Sequence, residues 1–409
     1  MNKRHILLAN IFFAPFSYGG ATVVAEQVAQ ALQDQGGFRI TAVSLCSRND
    51  LAPYAVIKSQ KNGIVNFLIN VRHERSYAEM YNNPEITARL AELISTLEPD
   101  LVHAHCVQEI GTGLLAVAEA AGIPVILSVH DFWWICERQF MIRFDEKYCG
   151  QNPVKIDKCK GCVDNFWAAK VRFNHLQETS AKAALITYPS AFARDLSEAS
   201  GFAPGRGVVW QNGVKLPDDD FFAKQSKRRL ADRQITFGYV GGPAAIKGWP
   251  IIKQAFSGIK TDAFRGLIVD GSLDHSWWQE KDLRALPGDW RIHPRFTQEN
   301  MDEFYAEIDV LLFMSQWKET FGLAIREALA RGITVVQTDS GGTVEHEGVM
   351  PADLIPIGGS PDILRRRIAR LLQENQRKTQ PISVTSFDDQ ARAFAGLVKD
   401  VFHKLEHAA

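Results

Sequence analysis

Two glutamates enclose a short apolar segment in the stretch ETFGLAIRE, residues 319–327. Phe321, Gly322 and Leu323 lie between them at the start of a predicted helix, where backbone N–H groups have no partner within the helix and suit an anion. Because carboxylates repel an anion, Glu319 and Glu327 are expected to bind neutral hydroxyl groups. A phosphate on the amides and sugar hydroxyls on the carboxylates together indicate a sugar nucleotide as the ligand.

Two further loops offer groups that suit a phosphate. In YVGGPAAIKGWP, Lys247 precedes Gly248 at a predicted helix start and could anchor a diphosphate, although surface lysines are common there. In FSYGGATVVAE, Gly19 and Gly20 follow the first predicted strand and open a helix, so that backbone amides can approach a ligand closely. A glycine pair at a tight turn also has a purely structural interpretation.

One histidine occupies a position that favours a functional role. His130, in SVHDFWWIC, ends a predicted strand and precedes an acid and three aromatic residues. A histidine of this kind is either a hydrogen-bonded core residue or part of a binding site, because ligands of parallel sheets bind at the carboxyl ends of the strands.

The elements that must position these residues alternate between short apolar strands and helical patterns, which predicts parallel sheets covered on both faces. The predicted strands are ILLANIFF, RITAVSL, IVNFLINV, LVHAH, PVILSVH and ALITYPS, and then ITFGYVGG, FRGLIVDG, WRIHPRF, VLLFMS and ITVVQTD. The polar stretch KLPDDDFFAKQSKRRLADRQ between the two sets is interpreted as a linker.

The sequence therefore predicts an α/β protein with two Rossmann-like, doubly wound domains that face each other across a cleft. The first, on the acceptor side, covers residues 1–215, and the second, which binds the nucleotide sugar, covers residues 216–386. The last helix, residues 387–409, is expected to pack back onto the first domain.

Composition excludes several classes of function. The chain has 409 residues, of which 46% are hydrophobic, so two domains are expected. A formal net charge of -1 provides no general attraction for nucleic acid. No apolar run reaches the ~20 residues of a membrane span. The N-terminal apolar run is interrupted by Asn10 and is interpreted as a buried strand, not as a signal peptide, which predicts a cytoplasmic protein.

At this point the chain resembles the retaining glycosyltransferases of family four, which have the GT-B fold of two Rossmann-like domains. The glutamate, seven residues, glutamate element of that family is similar to ETFGLAIRE. The resemblance continues through ALARGITVVQTDSGGTVE and also covers GGATVVAEQVAQAL, LVHAH, GIPVILSVHD, YPSAFARDL, NGV and VGGPAAIKG. It therefore extends over nearly the whole chain.

The resemblance implies a role for each candidate residue. Glu319 would hold hydroxyls of the donor hexose, Glu327 would hold the ribose, and His130 would contact the transferred sugar near the bond that breaks. The diphosphate would be bound by the amides of Phe321, Gly322 and Leu323, by Lys247, and by the backbone at Gly19 and Gly20. The family often has an arginine where this chain has Gly242, which puts a complete basic clamp on the diphosphate in doubt.

The implied reaction is metal-independent transfer of a hexosyl group from a nucleotide diphosphate sugar to a hydroxyl of a glycan or lipid-linked acceptor, with retention. Cell-surface polysaccharide or lipopolysaccharide synthesis would be the setting, and no cofactor takes part in catalysis. Two other interpretations stay open: a sugar-nucleotide epimerase of similar fold, and a sugar-nucleotide-binding protein without catalysis.

Four of the six cysteines are clustered in one segment, namely Cys136, Cys149, Cys159 and Cys162. The C-x-x-C pair and the expected reducing compartment favour a structural, tetrahedral zinc site over disulfides. Because the spacing is irregular, buried free thiols or a redox pair are the alternative.

The same region is rich in aromatic and basic residues, namely Trp133, Trp134, Phe140, Trp167, Lys170 and Arg172. These residues suit a peripheral contact with the inner face of a membrane, which would bring the protein to a lipid-linked acceptor. They suit a protein core equally well.

Overall fold

The computed structural model describes residues 3–375, 377 and 380–408 of the chain. The chain divides into two compact units. The first unit contains residues 1–140, 150–213 and 385–409, and the second contains residues 141–149 and 214–384.

The strands of both units are short and mostly buried. In chain order they are β1 (Arg4–Ala9), β2 (Phe38–Cys46), β3 (Val56–Lys61), β4 (Ile64–Asn70), β5 (Leu101–Ala104), β6 (Val125–Ser128), β7 (Leu185–Tyr188), β8 (Gly207–Val209), β9 (Ile235–Val240), β10 (Phe264–Val269), β11 (Asp289–His293), β12 (Val310–Phe313), β13 (Thr334–Thr338) and β14 (Leu354–Ile355).

The helices lie between these strands and after the last of them. They are α1 (Gly20–Asp34), α2 (Pro84–Leu97), α3 (Gly113–Ala120), α4 (Phe166–Ser180), α5 (Ala191–Ala199), α6 (Phe221–Ala231), α7 (Trp249–Ser257), α8 (Glu280–Leu283), α9 (Met301–Glu307), α10 (Leu323–Ala330), α11 (Pro361–Glu374) and α12 (Phe387–Ala408).

The first unit contains a sheet with the strand order β3-β4-β2-β1-β5-β6-β7-β8. Every neighbouring pair is parallel except β3 with β4 at one edge, which is antiparallel. Strands β5 and β6 are buried along their whole length, as expected of strands covered on both faces. The helix α12 belongs to this unit, where Trp210 donates a hydrogen bond from Nε1 to the carbonyl oxygen of Gln390 at 3.0 Å.

The second unit contains a parallel sheet with the strand order β11-β10-β9-β12-β13-β14. Strands β9 and β12 are direct neighbours, with Val310 paired to Phe237. The loops that follow their carboxyl ends are therefore brought to the same edge of the sheet. The prediction of two α/β sheets dominated by parallel strands is confirmed.

The polar stretch after the first unit differs from the predicted linker. Its residues 221–231 form the helix α6, in which Phe221 is fully buried. Arg228 and Arg229 of this helix each lie 2.9 Å from a carboxylate oxygen of Asp309, whose side chain is itself buried. The sequence pattern hid this helix because its attachment depends on ion pairs with a distant residue instead of a continuous apolar face.

The aromatic region after β6 is mostly core. Trp133 and Trp134 are 7% and 4% exposed, so these two side chains do not offer the surface contact that was the alternative to a core. Arg172 is buried as well and donates from Nη2 to the carbonyl oxygen of Trp133 at 2.6 Å. Trp167, by contrast, is 73% exposed on α4. In the described part of the chain, no helix combines the length and apolar character that crossing a membrane requires.

Candidate functional site

The start of α10 provides backbone N–H groups that no side chain caps. Gly322 precedes the helix with φ 86° and ψ 75° and makes no side-chain cap, because it has no side chain. A Cβ atom at this position would lie 3.1 Å from Cγ2 of Thr343, so both the left-handed backbone and the narrow space favour glycine. The first turn of an eight-residue helix can therefore bind an anion.

Lys247 and Glu319 form an ion pair beside this helix start. The Lys247 Nζ atom lies 2.9 Å from Oε1 of Glu319, and the Ser315 hydroxyl donates to the same oxygen at 2.6 Å. The lysine side chain is 40% exposed and the carboxylate 14% exposed. Both donors use Oε1 of the carboxylate, and a partly exposed lysine can exchange this partner for an incoming anion.

The loop that carries Lys247 is fixed by its backbone. The Tyr239 hydroxyl donates to the carbonyl oxygens of Gly242 at 2.9 Å and Lys247 at 3.1 Å. Gly248 has φ 85°, and a Cβ atom there would lie 1.9 Å from the carbonyl oxygen of Met314. Because no side chain fits at Gly248, the loops after β9 and β12 pack backbone to backbone.

A third loop, SGGTVE at residues 340–345, is hydrogen-bonded to Glu319. The Glu319 amide donates to the carbonyl oxygen of Ser340 at 3.0 Å, and the Gly342 amide donates to the carbonyl oxygen of Glu319 at 3.0 Å. Glu319 is therefore held by its main chain as well as by its side chain, which limits the directions in which the carboxylate can point.

Arg326 joins the same loop to the start of α10. Its guanidinium is buried and donates to four backbone carbonyl oxygens: those of Phe321 at 2.6 Å, Thr343 at 2.7 Å, Gly342 at 2.9 Å and Glu345 at 3.0 Å. Burial lowers the pKa of Arg326 to about 10, so the group stays a cation at neutral pH. The site thus contains a buried positive charge that binds carbonyl dipoles.

Glu327 lies on α10 four residues after Leu323, about one helical turn away. Its side chain is buried, and the Tyr305 hydroxyl donates to its Oε2 atom at 2.7 Å. Burial raises the pKa of Glu327, whereas the hydrogen bond from Tyr305 acts in the opposite direction. Tyr305 thus orients one of the two carboxylates that the sequence singles out.

In the first unit, the predicted glycines begin α1. Gly19 has φ 84° and precedes the helix, of which Gly20 is the first residue. No heavy atom lies within 4 Å of a Cβ built at Gly19, so its left-handed backbone, and not lack of space, requires the glycine. The amides at this helix start are uncapped by side chains.

His130 follows the end of β6 and is hydrogen-bonded to a second histidine. Its Nε2 atom lies 2.8 Å from Nδ1 of His105. The Nε2 atom of His105 in turn lies 3.2 Å from Nδ1 of His103, and the Nε2 atom of His103 lies 2.8 Å from Oγ of Ser128. Burial lowers the pKa of His130 to about 4 and the pKa values of His103 and His105 well below 6.5.

These lowered pKa values predict a loss of stability in acid. In the unfolded chain these histidines bind protons near pH 6.5, whereas in the folded protein they stay neutral to a lower pH. The free energy of unfolding is therefore highest above pH 6.5 and decreases as the pH falls toward about 4. Each histidine should contribute about 1.4 kcal/mol per pH unit in this window. Denaturant unfolding between pH 7 and 5 should show a smaller loss of stability for His103→Gln than for the wild type. Equal slopes for the two proteins would contradict this origin.

All four cysteines of the predicted zinc site are partly buried. Cys136, Cys159 and Cys162 line one cavity of about 20 Å³, but Cys149 is not among its lining residues. The amide of Cys149 donates to the carbonyl oxygen of Met141 at 2.8 Å and closes a separate hairpin. Among the described residues no group of three or more His, Cys, Asp or Glu side chains is placed to hold a metal ion. The structural zinc site therefore stays a prediction.

Sequence reasoning overlooked several of the groups that position the predicted ones. His103 and His105 could have been found, because alternate residues of a strand share one face and HAH ends a buried strand. Ser315, Tyr305 and Arg326 carried no such signal, since their roles depend on contacts with other segments of the chain.

Comparison with known families gives two adjacent matches. The model of the family described as Glycosyltransferase Family 4 matches residues 18–217. The model described as Glycosyl transferases group 1 matches residues 234–374. The second match contains the Lys247–Glu319 pair and the whole of α10.

Individual relatives are distant in sequence. The sulfoquinovosyl transferase SQD2 of Arabidopsis thaliana is 23% identical over 274 residues, which cover 66% of this chain and 48% of that protein. A GDP-mannose-dependent alpha-mannosyltransferase of Mycobacterium tuberculosis is 25% identical over 302 residues, which cover 71% and 69% of the two chains. This chain thus spans about half the length of the first relative and about two thirds of the second.

A solved structure of Anabaena Alr3699/HepE in complex with UDP superposes with a TM-score of 0.63 at 15% identity, over 100% of this chain and 99% of that one. At this identity the similarity establishes the fold, which is the two-sheet GT-B architecture of glycosyltransferases.

Proposed function

Because the chain is a family 4-like glycosyltransferase with the GT-B fold, we propose that it transfers a hexosyl group from a nucleoside diphosphate sugar to an acceptor hydroxyl, with retention of configuration. The observation that carries this proposal is the Lys247–Glu319 pair, 2.9 Å apart, beside the uncapped start of α10. The pair offers a cation for phosphate and a carboxylate for sugar hydroxyls within one small region. The UDP bound by the Anabaena protein supports a nucleotide donor.

In the proposed complex, the diphosphate binds to the amides of Phe321, Gly322 and Leu323 and to Lys247. Lys247 exchanges Glu319 for a phosphate oxygen, and the carboxylate of Glu319 then accepts hydrogen bonds from the hexose hydroxyls. Glu327, oriented by Tyr305, accepts hydrogen bonds from the ribose. The backbone at Gly19 and Gly20 contributes further amides to the phosphates.

The proposed chemical step breaks the bond between the anomeric carbon and the diphosphate oxygen. The acceptor oxygen forms its new bond to the same carbon on the same face, and its proton passes to the departing phosphate oxygen. His130 contacts the transferred sugar near this bond. The protein then acts mainly by stabilising the negative charge of the leaving group and by aligning the two substrates.

The negative charge of the leaving group can be compensated without the arginine that the family often has in place of Gly242. Arg326 is a buried cation whose Nη1 atom is 2.6 Å from the carbonyl oxygen of Phe321, next to the amides proposed to bind phosphate. Its charge is screened little at this depth, so it supports the helix start and Lys247 in compensating the diphosphate.

The acceptor in this proposal is a glycan or a lipid-linked sugar of surface polysaccharide or lipopolysaccharide synthesis, reached at the inner face of the cytoplasmic membrane. Trp167 and Lys170 on α4 support such a contact, since Trp167 is 73% exposed and a tryptophan beside a lysine suits a membrane interface.

The proposal is tested by incubating the protein with labelled UDP-glucose, UDP-N-acetylhexosamine and GDP-mannose, each with and without lipid-linked and soluble glycan acceptors. We expect acceptor-dependent release of the nucleoside diphosphate and a product whose anomeric configuration, read by NMR, equals that of the donor. Conversion of the donor sugar without an acceptor would indicate an epimerase, and tight donor binding without any product would indicate a binding protein.

The proposed phosphate site also predicts that catalysis needs no divalent metal ion. Added EDTA should leave the initial rate unchanged, because amides, Lys247 and Arg326 compensate the leaving-group charge. Addition of magnesium or manganese to the EDTA-treated enzyme provides the control. A rate that collapses with EDTA and returns with either ion would contradict this mechanism.

A further inference from the structure

The loop after β1, residues 10–19, exposes two aromatic side chains. Phe16 is 48% exposed and Tyr18 is 49% exposed. The loop follows the carboxyl end of β1 and leads into Gly20, the first residue of α1. Because ligands of parallel sheets bind at this end of the strands, the two rings lie where a ligand of the first unit is expected.

The start of this loop is fixed by Asn10. The residue is fully buried, and its Nδ2 atom donates to the carbonyl oxygen of Phe12 at 2.6 Å and to Oγ1 of Thr22 at 3.1 Å. Its Oδ1 atom accepts a hydrogen bond from the amide of Cys106 at 3.0 Å. The polar residue that interrupts the apolar run in the sequence therefore ties the loop to α1 and to the segment after β5.

The rest of the loop is anchored as well. Phe13 and Ala14 are buried, and the carbonyl oxygen of Ala14 accepts a hydrogen bond from Nδ2 of Asn66 at 3.0 Å. The Ser17 hydroxyl donates to Oε1 of Glu26 at 2.5 Å. Since the backbone on either side of the exposed rings is held in place, a ligand that binds to them has little of the chain to order.

The Tyr18 ring is oriented by Phe12. The two ring centroids are 5.8 Å apart and the ring planes meet at 76°, which is the edge-to-face arrangement that aromatic pairs favour. Among the described residues, none forms a hydrogen bond with the Tyr18 hydroxyl. Tyr18 therefore offers a ligand both part of an apolar ring and a hydroxyl that can donate.

The composition of the loop favours a neutral ligand. From Ile6 to Ala25 the chain has no charged side chain, so the loop itself provides no cation for a phosphate or for an anionic lipid headgroup. A sugar ring, by contrast, has a face of C–H groups that packs on an aromatic ring and hydroxyl groups that bond to a polar side chain. Aromatic side chains with a few polar groups are typical of the sites that bind such small molecules.

We propose that Phe16 and Tyr18 form an aromatic subsite that binds a neutral sugar ring of the acceptor. The assignment to the acceptor rests on the proposed function, in which Lys247 and Glu319 of the second unit bind the phosphate and the hexose of the donor. Because Phe16 and Tyr18 are two residues apart, their Cα atoms are separated by at most about 7 Å, so one sugar ring can contact both side chains. These contacts set the affinity for the acceptor and take no part in the transfer step.

Binding of simple glycosides tests the subsite without turnover. The full chain is mixed with the methyl glycosides of glucose, mannose, galactose and N-acetylglucosamine, and saturation-transfer difference NMR identifies the ring protons that contact the protein. We expect signals from the C–H groups of at least one glycoside, reduced about 5-fold in Phe16→Leu and retained in Phe16→Trp, because leucine is apolar but has no aromatic face.

Phe222→Leu is the matched control, since this ring is 40% exposed on α6 of the second unit and its signals should equal those of the wild type. The absence of any glycoside signal in the wild type, or equal signals in the wild type and Phe16→Leu, would overturn the inference. Weaker binding of Phe16→Leu to phosphatidylglycerol vesicles, with unchanged glycoside signals, would overturn it too and assign the rings to a membrane contact.

Kinetics with the acceptor that supports turnover in the assay above separate this inference from the proposed function. Phe16→Leu should raise the acceptor KM about 5-fold, and Tyr18→Phe, which removes one hydroxyl and keeps the ring, about 3-fold. The donor KM and kcat should stay close to those of the wild type. An unchanged acceptor KM in both variants, or a raised donor KM, would overturn the inference alone. Glycoside binding at the loop by a protein that transfers no sugar to any acceptor would instead contradict the proposed function.

Discussion

Replacement of Glu319 by glutamine is expected to lower kcat about 10- to 100-fold, because the hexose hydroxyls lose a charged acceptor worth roughly 1.5 to 3 kcal/mol. The nucleoside diphosphate should bind at least as tightly as to the wild type. Nζ of Lys247 lies 2.9 Å from Oε1 of Glu319, and the substitution releases the lysine from this ion pair. Measurement of kcat together with titration of UDP or GDP by calorimetry separates the two effects.

A control for this prediction is Glu347→Gln, which removes an exposed carboxylate from the same unit without touching Ser315 or Lys247. Its kcat and nucleotide affinity should match those of the wild type. If Glu319→Gln lowered nucleotide affinity and kcat by the same factor, Glu319 would be part of the phosphate site or of its folding, and the assignment to sugar hydroxyls would be wrong.

Replacement of Lys247 by methionine should act in the opposite way, by weakening the nucleoside diphosphate itself. Loss of one charge-assisted hydrogen bond to phosphate predicts an increase in Kd of about 10- to 100-fold. Added salt should weaken binding to the wild type more than binding to the variant, because the variant has one fewer charge to screen. Calorimetric titration at two salt concentrations measures both effects.

Lys253→Met is the matched control, since Lys253 is an exposed lysine on the helix α7 that follows the same loop. Its Kd and salt dependence should equal those of the wild type. A Lys247→Met protein that binds the free diphosphate with unchanged affinity would exclude a direct contact between Lys247 and phosphate, whatever its effect on turnover.

The elements that could be predicted from the sequence are those whose own residues show the pattern of burial. β5 and β6 are apolar along their whole length, which identifies buried parallel strands. β3 was not predicted, because VIKSQK is a half-exposed edge strand whose polar residues obscure the pattern. The helix α6 was mistaken for a linker because Asp309, which its arginines contact, lies about 80 residues away.

In the candidate site, too, features that depend on one segment could be predicted, and features that join distant segments could not. The amides at the start of α10 could be predicted from a glycine before an apolar helix. The approach of Lys247 to Glu319 could not, because the two residues are 72 positions apart and meet only since β9 and β12 are neighbours in the sheet. Strand order is a property of the whole domain, and no local pattern in the chain encodes it. The hydrogen bonds that join His103, His105 and His130 depend in the same way on the register of β5 and β6.

The four hydrogen bonds from Arg326 to backbone carbonyl oxygens have a consequence for engineering the donor preference of the enzyme. Because Arg326 donates to main-chain carbonyl oxygens of Gly342, Thr343 and Glu345, these hydrogen bonds depend on the path of the loop. Libraries that randomise the side chain at Val344 therefore preserve the loop, whereas insertions or grafted loops of other lengths displace the carbonyls and leave a buried cation without acceptors. Directed evolution of this loop should proceed by substitution at constant length.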